Sequence, residues 1–331
     1  MLERRRIVSR LWPLLRGWWS ERVGDRKEGG MGGRSTFGKV VATLGLVVSA
    51  GAMAGLGVAS PAGATPPPVI TCSGTISGPG IISGGTYAAL AVPPASACLI
   101  EGAVTVNSPV KLGSGSGVGV EAGSLTVNGG LTVGPDAAFG DFGSSSAPIT
   151  INGPLFVQGN GYITMDGPTI GGPVWANDPS ALQIFDTRIG GAVTINGGGG
   201  DNPVLDALDQ CYGNSCQPPQ YPYNQNFVWG DVISGPVSVI GYTGPWQGIV
   251  EDVMGPLVFW GNANPRGTAI GFDTINGFAT CANNTLGPPT YTWSPPNTGP
   301  DVSGPSVVHG PVFGNQATTC TGVSGGTFPE G

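Results

Sequence analysis

The side chains that could do chemistry in this chain are few and scattered. Asp166, Asp186 and Arg188 form the one set in which carboxylates and a base stand near each other. Cleaving a polysaccharide by elimination needs a basic side chain to take a proton and carboxylates to hold calcium. Cleaving it by hydrolysis needs paired carboxylates at a set separation. After residue 64 there are three basic side chains, Lys111, Arg188 and Arg266, and the single His of the chain, His309, sits in VVHGPV. No Asp-Asp pair occurs. Catalysis would require Asp166, Asp186 and Arg188 to converge in one groove. Otherwise Asp186 and Arg188 read as a surface pair and His309 as a turn residue, and no catalytic residue is assigned.

Other constellations are weaker still. GGGGDN at 197–202, followed by Asp206 and Asp209, offers oxygen ligands for calcium, but its spacing matches neither an EF-hand nor a nonapeptide calcium repeat. It reads as a solvated acidic loop, so no metal and no cofactor are expected. Trp175, Trp229, Trp246 and Trp260 are candidates for a sugar-binding face. The competing reading, and the preferred one, makes them plugs at the corners of the core.

The six cysteines are Cys72, Cys98, Cys211, Cys216, Cys281 and Cys320. An even number in an exported chain points to disulfides, although six cysteines allow about 15 connectivities. Pairing sequence neighbours gives Cys72–Cys98, Cys211–Cys216 and Cys281–Cys320. A zinc site is the rival, with spacings that fit no ligand pattern.

The elements that must carry these residues are announced by a recurring strand. GAVTVN at 102–107, GSLTVN at 123–128 and PITING at 148–153 are followed by GPVWAN at 172–177 and GAVTING at 191–197. GPVSVI at 235–240, GPLVFW at 255–260 and GFATCANN at 277–284 complete the series. Each is a turn, then apolar, polar and apolar residues, often closed by Asn. Measured from their opening Gly or Ala, Ala147 for the third, successive units start 21, 24, 25 and 19 residues apart, then 20 and 22 after a break. Such a step holds two or three short strands and their turns, one coil of a solenoid. With 60 Gly and 31 Pro in 331 residues, long helices are excluded. The fold class is therefore all-β, a right-handed parallel β-helix with short disulfide-tied ends and one side-loop insertion.

Side-chain alternation predicts the stacking. Val104, Leu125, Ile149, Val174 and Val193 are expected in one interior column, and Val106, Val127, Ile151 and Ile195 in another. Thr105, Thr126, Thr150 and Thr194 would form an outer ladder. Asn107, Asn128, Asn152 and Asn196 would close the strands, tolerating a left-handed turn and bonding their copies above and below. One Thr per coil, with coils skipped, is too sparse for an ice-binding T-x-T array. Nine or so coils would make a rod of about 40–45 Å.

The remaining segments divide the chain further. Residues 1–30 read as an upstream extension ahead of a second start at Met31. Residues 31–64 carry a basic start, an apolar run and Ala62-Gly63-Ala64, a secretory signal peptide cleaved after Ala64. An uncleaved membrane anchor is the rival, since the run is long enough to span. Residues 65–69 are a Pro-rich linker and 70–331 the β-helix domain, with 201–226 as the side loop. The full chain carries −7. From residue 65 on, three basic against 16 acidic side chains leave −13, which disfavours nucleic acid and anionic lipid as partners.

IVEDVMGPLVFWGN at 249–262, NGFATCANN at 276–284 and the terminal Cys320 resemble secreted, Gly-rich right-handed β-helix proteins of high-GC Gram-positive bacteria, mostly uncharacterised. The similarity spans roughly 70–325, and its motifs are structural. It implies an architecture and no activity. The expectation is a secreted, non-enzymatic protein with a structural or adhesive role at or outside the cell surface. The alternative is a polysaccharide-binding or polysaccharide-degrading, pectate-lyase-like protein. Cell-wall or other extracellular polysaccharide is the expected partner.

Overall fold

The structure, a computed structural model, describes residues 65–141, 148–200, 202, 225–244, 246–250, 252–264, 267–271, 273–286 and 306–316. The described chain is all strand and turn, without helix, and it winds into a parallel β-helix. One sheet has 11 strands and the other 16, and a two-stranded pair, Ala263–Asn264 with Thr285–Leu286, lies beside them. Each turn lays one strand on the 11-stranded sheet. Val110–Leu112, Leu131–Val133, Leu155–Gln158, Val174–Asn177, Val193–Asn196, Val237–Ile240, Leu257–Trp260 and Ala279–Ala282 follow one another there, every neighbour parallel. Solenoid stacking is the consequence of a chain too rich in Gly and Pro for helices, yet supplied with in-out-in apolar triplets that must be buried.

The recurring motif does not keep to one face. Val104 pairs with Leu125 and Leu125 with Ile149, as expected, while the neighbouring column of Val106, Val127 and Ile151 continues to Ile170 and Ile189, all on the 16-stranded sheet. Val174 and Val193 belong to the other sheet, in line with Val110, Leu131 and Leu155. The column expected to run from Val104 to Val193 is therefore divided between the two sheets. Ile195 likewise aligns with Val133, Val157 and Ala176, away from Val106 and Val127. Both faces want the same apolar-polar-apolar triplet, so a motif shared between coils does not identify its face. At 148–158 both copies occur side by side, PITING on one sheet and GPLFVQ on the other.

The opening glycines answer to crowding between coils. At Gly191 a Cβ would lie 2.7 Å from the Pro173 nitrogen, and at Gly172 it would lie 2.8 Å from the Pro154 nitrogen. Successive turns cross at backbone contact, leaving no room for a side chain. The left-handed non-glycine positions lie elsewhere, at Ala95, Asp136, Asn160, Asp178, Asp186 and Asn283, and include none of the four strand-closing Asn. Asn128 does donate to the Asn107 side chain, and Asn152 to Asn128, both at 2.9 Å. Asn196 stands on the other sheet, between Asn177 and Ile240.

Two buried polar ladders tie the later coils together. Asp231, Asp252 and Asp273 are 0–1% exposed, and each accepts from the backbone N–H one coil earlier. Thr187 N–H donates to Asp231 at 2.6 Å, Asp231 N–H to Asp252 at 2.8 Å and Asp252 N–H to Asp273 at 3.0 Å. At another corner Tyr242 N–H donates to Asn262, Asn262 N–H to Asn284 and Asn284 N–H to Gln316, at 2.8–2.9 Å. These acceptors satisfy turn amides that the sheets cannot reach. Asp231, Asp252 and Asp273, spaced 21 residues apart, are a legible repeat that the motif-based reading passed over.

Cys72 and Cys98 form the expected disulfide at the N-terminal end, with Cα atoms 5.7 Å apart. Cys281 is also disulfide-bonded. Its expected partner Cys320, the pair Cys211 and Cys216, and the 203–224 part of the side loop lie outside the described residues.

Candidate binding face on the 11-stranded sheet

On the five strands of the 11-stranded sheet from Leu155–Gln158 to Leu257–Trp260 the first and third residues enter the core, and the second and fourth stand outward. The outward second positions run Lys111, Thr132, Phe156, Trp175, Thr194, Ser238, Val258 and Thr280. The fourth positions run Gln158, Asn177, Asn196, Ile240 and Trp260. Phe156 and Trp175, on neighbouring strands, stack with ring centroids 4.9 Å apart and an interplanar angle of 28°. Trp175 is 42% exposed and Trp260 43%. Neither is a core plug, because each occupies an outward position where alternation leaves no choice. The preferred reading of these two residues is corrected accordingly.

The four Trp do not share a face. Trp229 ends the strand Gln225–Trp229 and pairs with Phe185 and Val250, while Trp246 begins Trp246–Val250 and pairs with Gln225. Both strands belong to the 16-stranded sheet. Phe156, which sequence reasoning did not single out, takes their place beside Trp175. The missed signal was GPLF at 153–156, one more copy of the strand motif.

The candidate catalytic set separates. Asp166 is buried, with its N–H donating to the Asp141 carboxylate at 3.0 Å, whereas Asp186 and Arg188 are exposed on either side of buried Thr187. A carboxylate closed off from solvent does not share one open groove with two exposed side chains. His309 is an exposed turn residue whose N–H donates to the Ile275 carbonyl at 3.0 Å. The Glu121 carboxyl is pushed above its ordinary value, first by burial and then by the Glu101 charge, so the two carboxylates interact across adjoining strands.

Among the described residues no group of three or more His, Cys, Asp or Glu is placed to hold a metal ion. Of the glycine-rich stretch read as a solvated acidic loop, Asn202 is buried and donates to the carbonyls of Ala137 and Asn160 at 3.3 and 2.5 Å. It serves the wall of the helix there. Asp201, Asp206 and Asp209 lie outside the described residues.

The outer Thr ladder of the 16-stranded sheet is longer than expected. It joins Thr86, Thr105, Thr126, Thr150 and Thr169 on successive coils before Arg188 interrupts it, and Thr194 is not part of it. Two residues beyond Thr105, Thr126 and Thr150 stand Asn107, Asn128 and Asn152, so a T-x-T array does not form.

No family model matches this chain, and neither a curated protein nor a solved structure is detectably similar to it.

Proposed function

We propose that this chain is exported and works outside the cell as a non-enzymatic β-helix, a structural or adhesive module whose partner is extracellular polysaccharide such as cell-wall material. The observation that carries this reading is the outward face of the 11-stranded sheet. It bears two well-exposed indoles among amide and hydroxyl side chains, a composition suited to stacking on sugar rings and bonding their hydroxyls. The signal-like segment at 31–64 and the Cys72–Cys98 disulfide support an oxidising, extracytoplasmic destination. A cleaving activity draws no comparable support, since Asp166 is buried while Asp186 and Arg188 are exposed.

The test is retention of the full chain by purified cell-wall material and by intact cells, together with N-terminal sequencing of the protein recovered outside the cell. Retention at physiological salt and a mature start at Thr65 are expected. A chain that stays in the cytoplasm, or that no wall fraction retains, would remove the proposal.

A further inference from the structure

We infer that the outer face of the 11-stranded sheet holds a carbohydrate slot between Trp175 and Trp260, floored by Thr194, Ser238 and Asn196, that takes a neutral polysaccharide. This rests on the reading of the chain as a polysaccharide-contacting module and names the site and the sugar class. Phe156 covers one side of Trp175. On the other side the column falls to Thr194 and then Ser238, so the indole stands above a floor of small hydroxyl side chains. Trp260 stands three strands further along and two residues further down its strand, beside Ile240. Three strand spacings separate the two indoles along the axis, about 14 Å. A short run of sugar rings fits that interval, its apolar faces against indole and its hydroxyls over the floor.

The charge pattern selects the sugar class. Five consecutive strands, from Leu155–Gln158 to Leu257–Trp260, present ten outward side chains on this face and none is charged. Yet the segment from residue 65 carries −13. A uronate polymer would meet no cation here and would be repelled by the rest of the surface, whereas a neutral polymer meets hydroxyls, amides and aromatic rings. The rows of stacked backbone hold these side chains at fixed intervals, so little ordering is required on binding.

The experiment is native gel electrophoresis of the full chain through gels containing hydroxyethyl cellulose, glucomannan or polygalacturonate. Retardation by at least one neutral polymer and none by polygalacturonate is expected. Trp175→Ala and Trp260→Ala should each weaken it about tenfold. Ser238→Arg, which fills the floor from a half-buried outward position, should abolish it. Val253→Ala, an exposed apolar change on the 16-stranded sheet, should leave it intact. Circular dichroism confirms the fold of each variant, and Ser238→Arg decides the matter if a Trp variant is not folded. Absence of retardation by both neutral polymers, equal retardation by polygalacturonate, or unchanged binding in the folded variants would overturn the slot. If cell-wall material retains the Trp variants as firmly as the parent chain, the slot fails while the adhesive reading stands. If it does not retain the parent, the adhesive reading itself fails.

Discussion

The carboxylate of Asp252 accepts a hydrogen bond from the backbone N–H of Asp231, 2.8 Å away and 21 residues earlier in the chain. Both residues are wholly buried. A turn amide that reaches no sheet partner is thus satisfied by the side chain of the next coil, and Asp252 hands the same problem on to Asp273.

Asp252→Ala is expected to destabilise the protein by about 1–3 kcal/mol, because it leaves the Asp231 N–H buried without an acceptor. Asp252→Asn keeps an acceptor oxygen of the same reach, as Asn262 does at the other corner, and should cost much less. Denaturant midpoints of the two variants check the ordering. Equal loss in both would refute the acceptor role.

Gly191→Ala is expected to destabilise by about 1–3 kcal/mol through overpacking, since the new Cβ would sit 2.7 Å from the Pro173 nitrogen and 2.8 Å from its Cα. The turn backbones are in contact and cannot give way singly. Thermal unfolding measures the cost, and an unchanged melting temperature would show that the coils are less closely stacked than described.

Replacing both Cys72 and Cys98 by Ser opens a loop closed across 26 residues. The chain-entropy account assigns such a bridge about 3–4 kcal/mol. Loss of stability comparable to that on reduction is expected, with hydrogen exchange rising first in the strands Val69–Thr71 and Gly80–Tyr87. Uniform loosening along the whole rod would contradict an end-capping role.

Tyr242 is wholly buried beneath the Asn corner, and its hydroxyl donates to the Ser180 carbonyl at 3.2 Å. Burial raises its pKa far above the ordinary tyrosine range. The neutral phenol is therefore favoured by the fold. That contribution is complete below the unfolded value of about 10 and is lost as pH rises past it. Tyr242→Phe should lower stability at pH 8 by roughly 1 kcal/mol through the lost hydrogen bond. It should also flatten the decline of stability between about pH 10 and 11.5 relative to the parent chain. Urea titrations across that range test both, and an equally steep alkaline decline in the variant would count against the assignment.

The alternation of apolar and polar residues, the spacing near twenty and the Gly and Pro content determine the class of fold without any coordinates. A triplet such as Val193-Thr194-Ile195 can bury itself in only one way, and its recurrence demands stacking. The Cys72–Cys98 pair was equally legible, as the cysteine neighbours at one end of the domain. What only the tertiary structure decides is which face each triplet occupies. Ile149 and Val174 have interchangeable surroundings in sequence, and either could follow Leu125. Thr169–Ile170 takes the wall position that Thr150–Ile151 holds one coil earlier, and Val174 that of Leu155, so the full motif passes from one wall of the coil to the other. For the same reason the four Trp could not be sorted in advance. Trp175 and Trp260 share a face, and Trp229 and Trp246 stand on the other sheet, because a position along the strand is a local property and a wall of the solenoid is not.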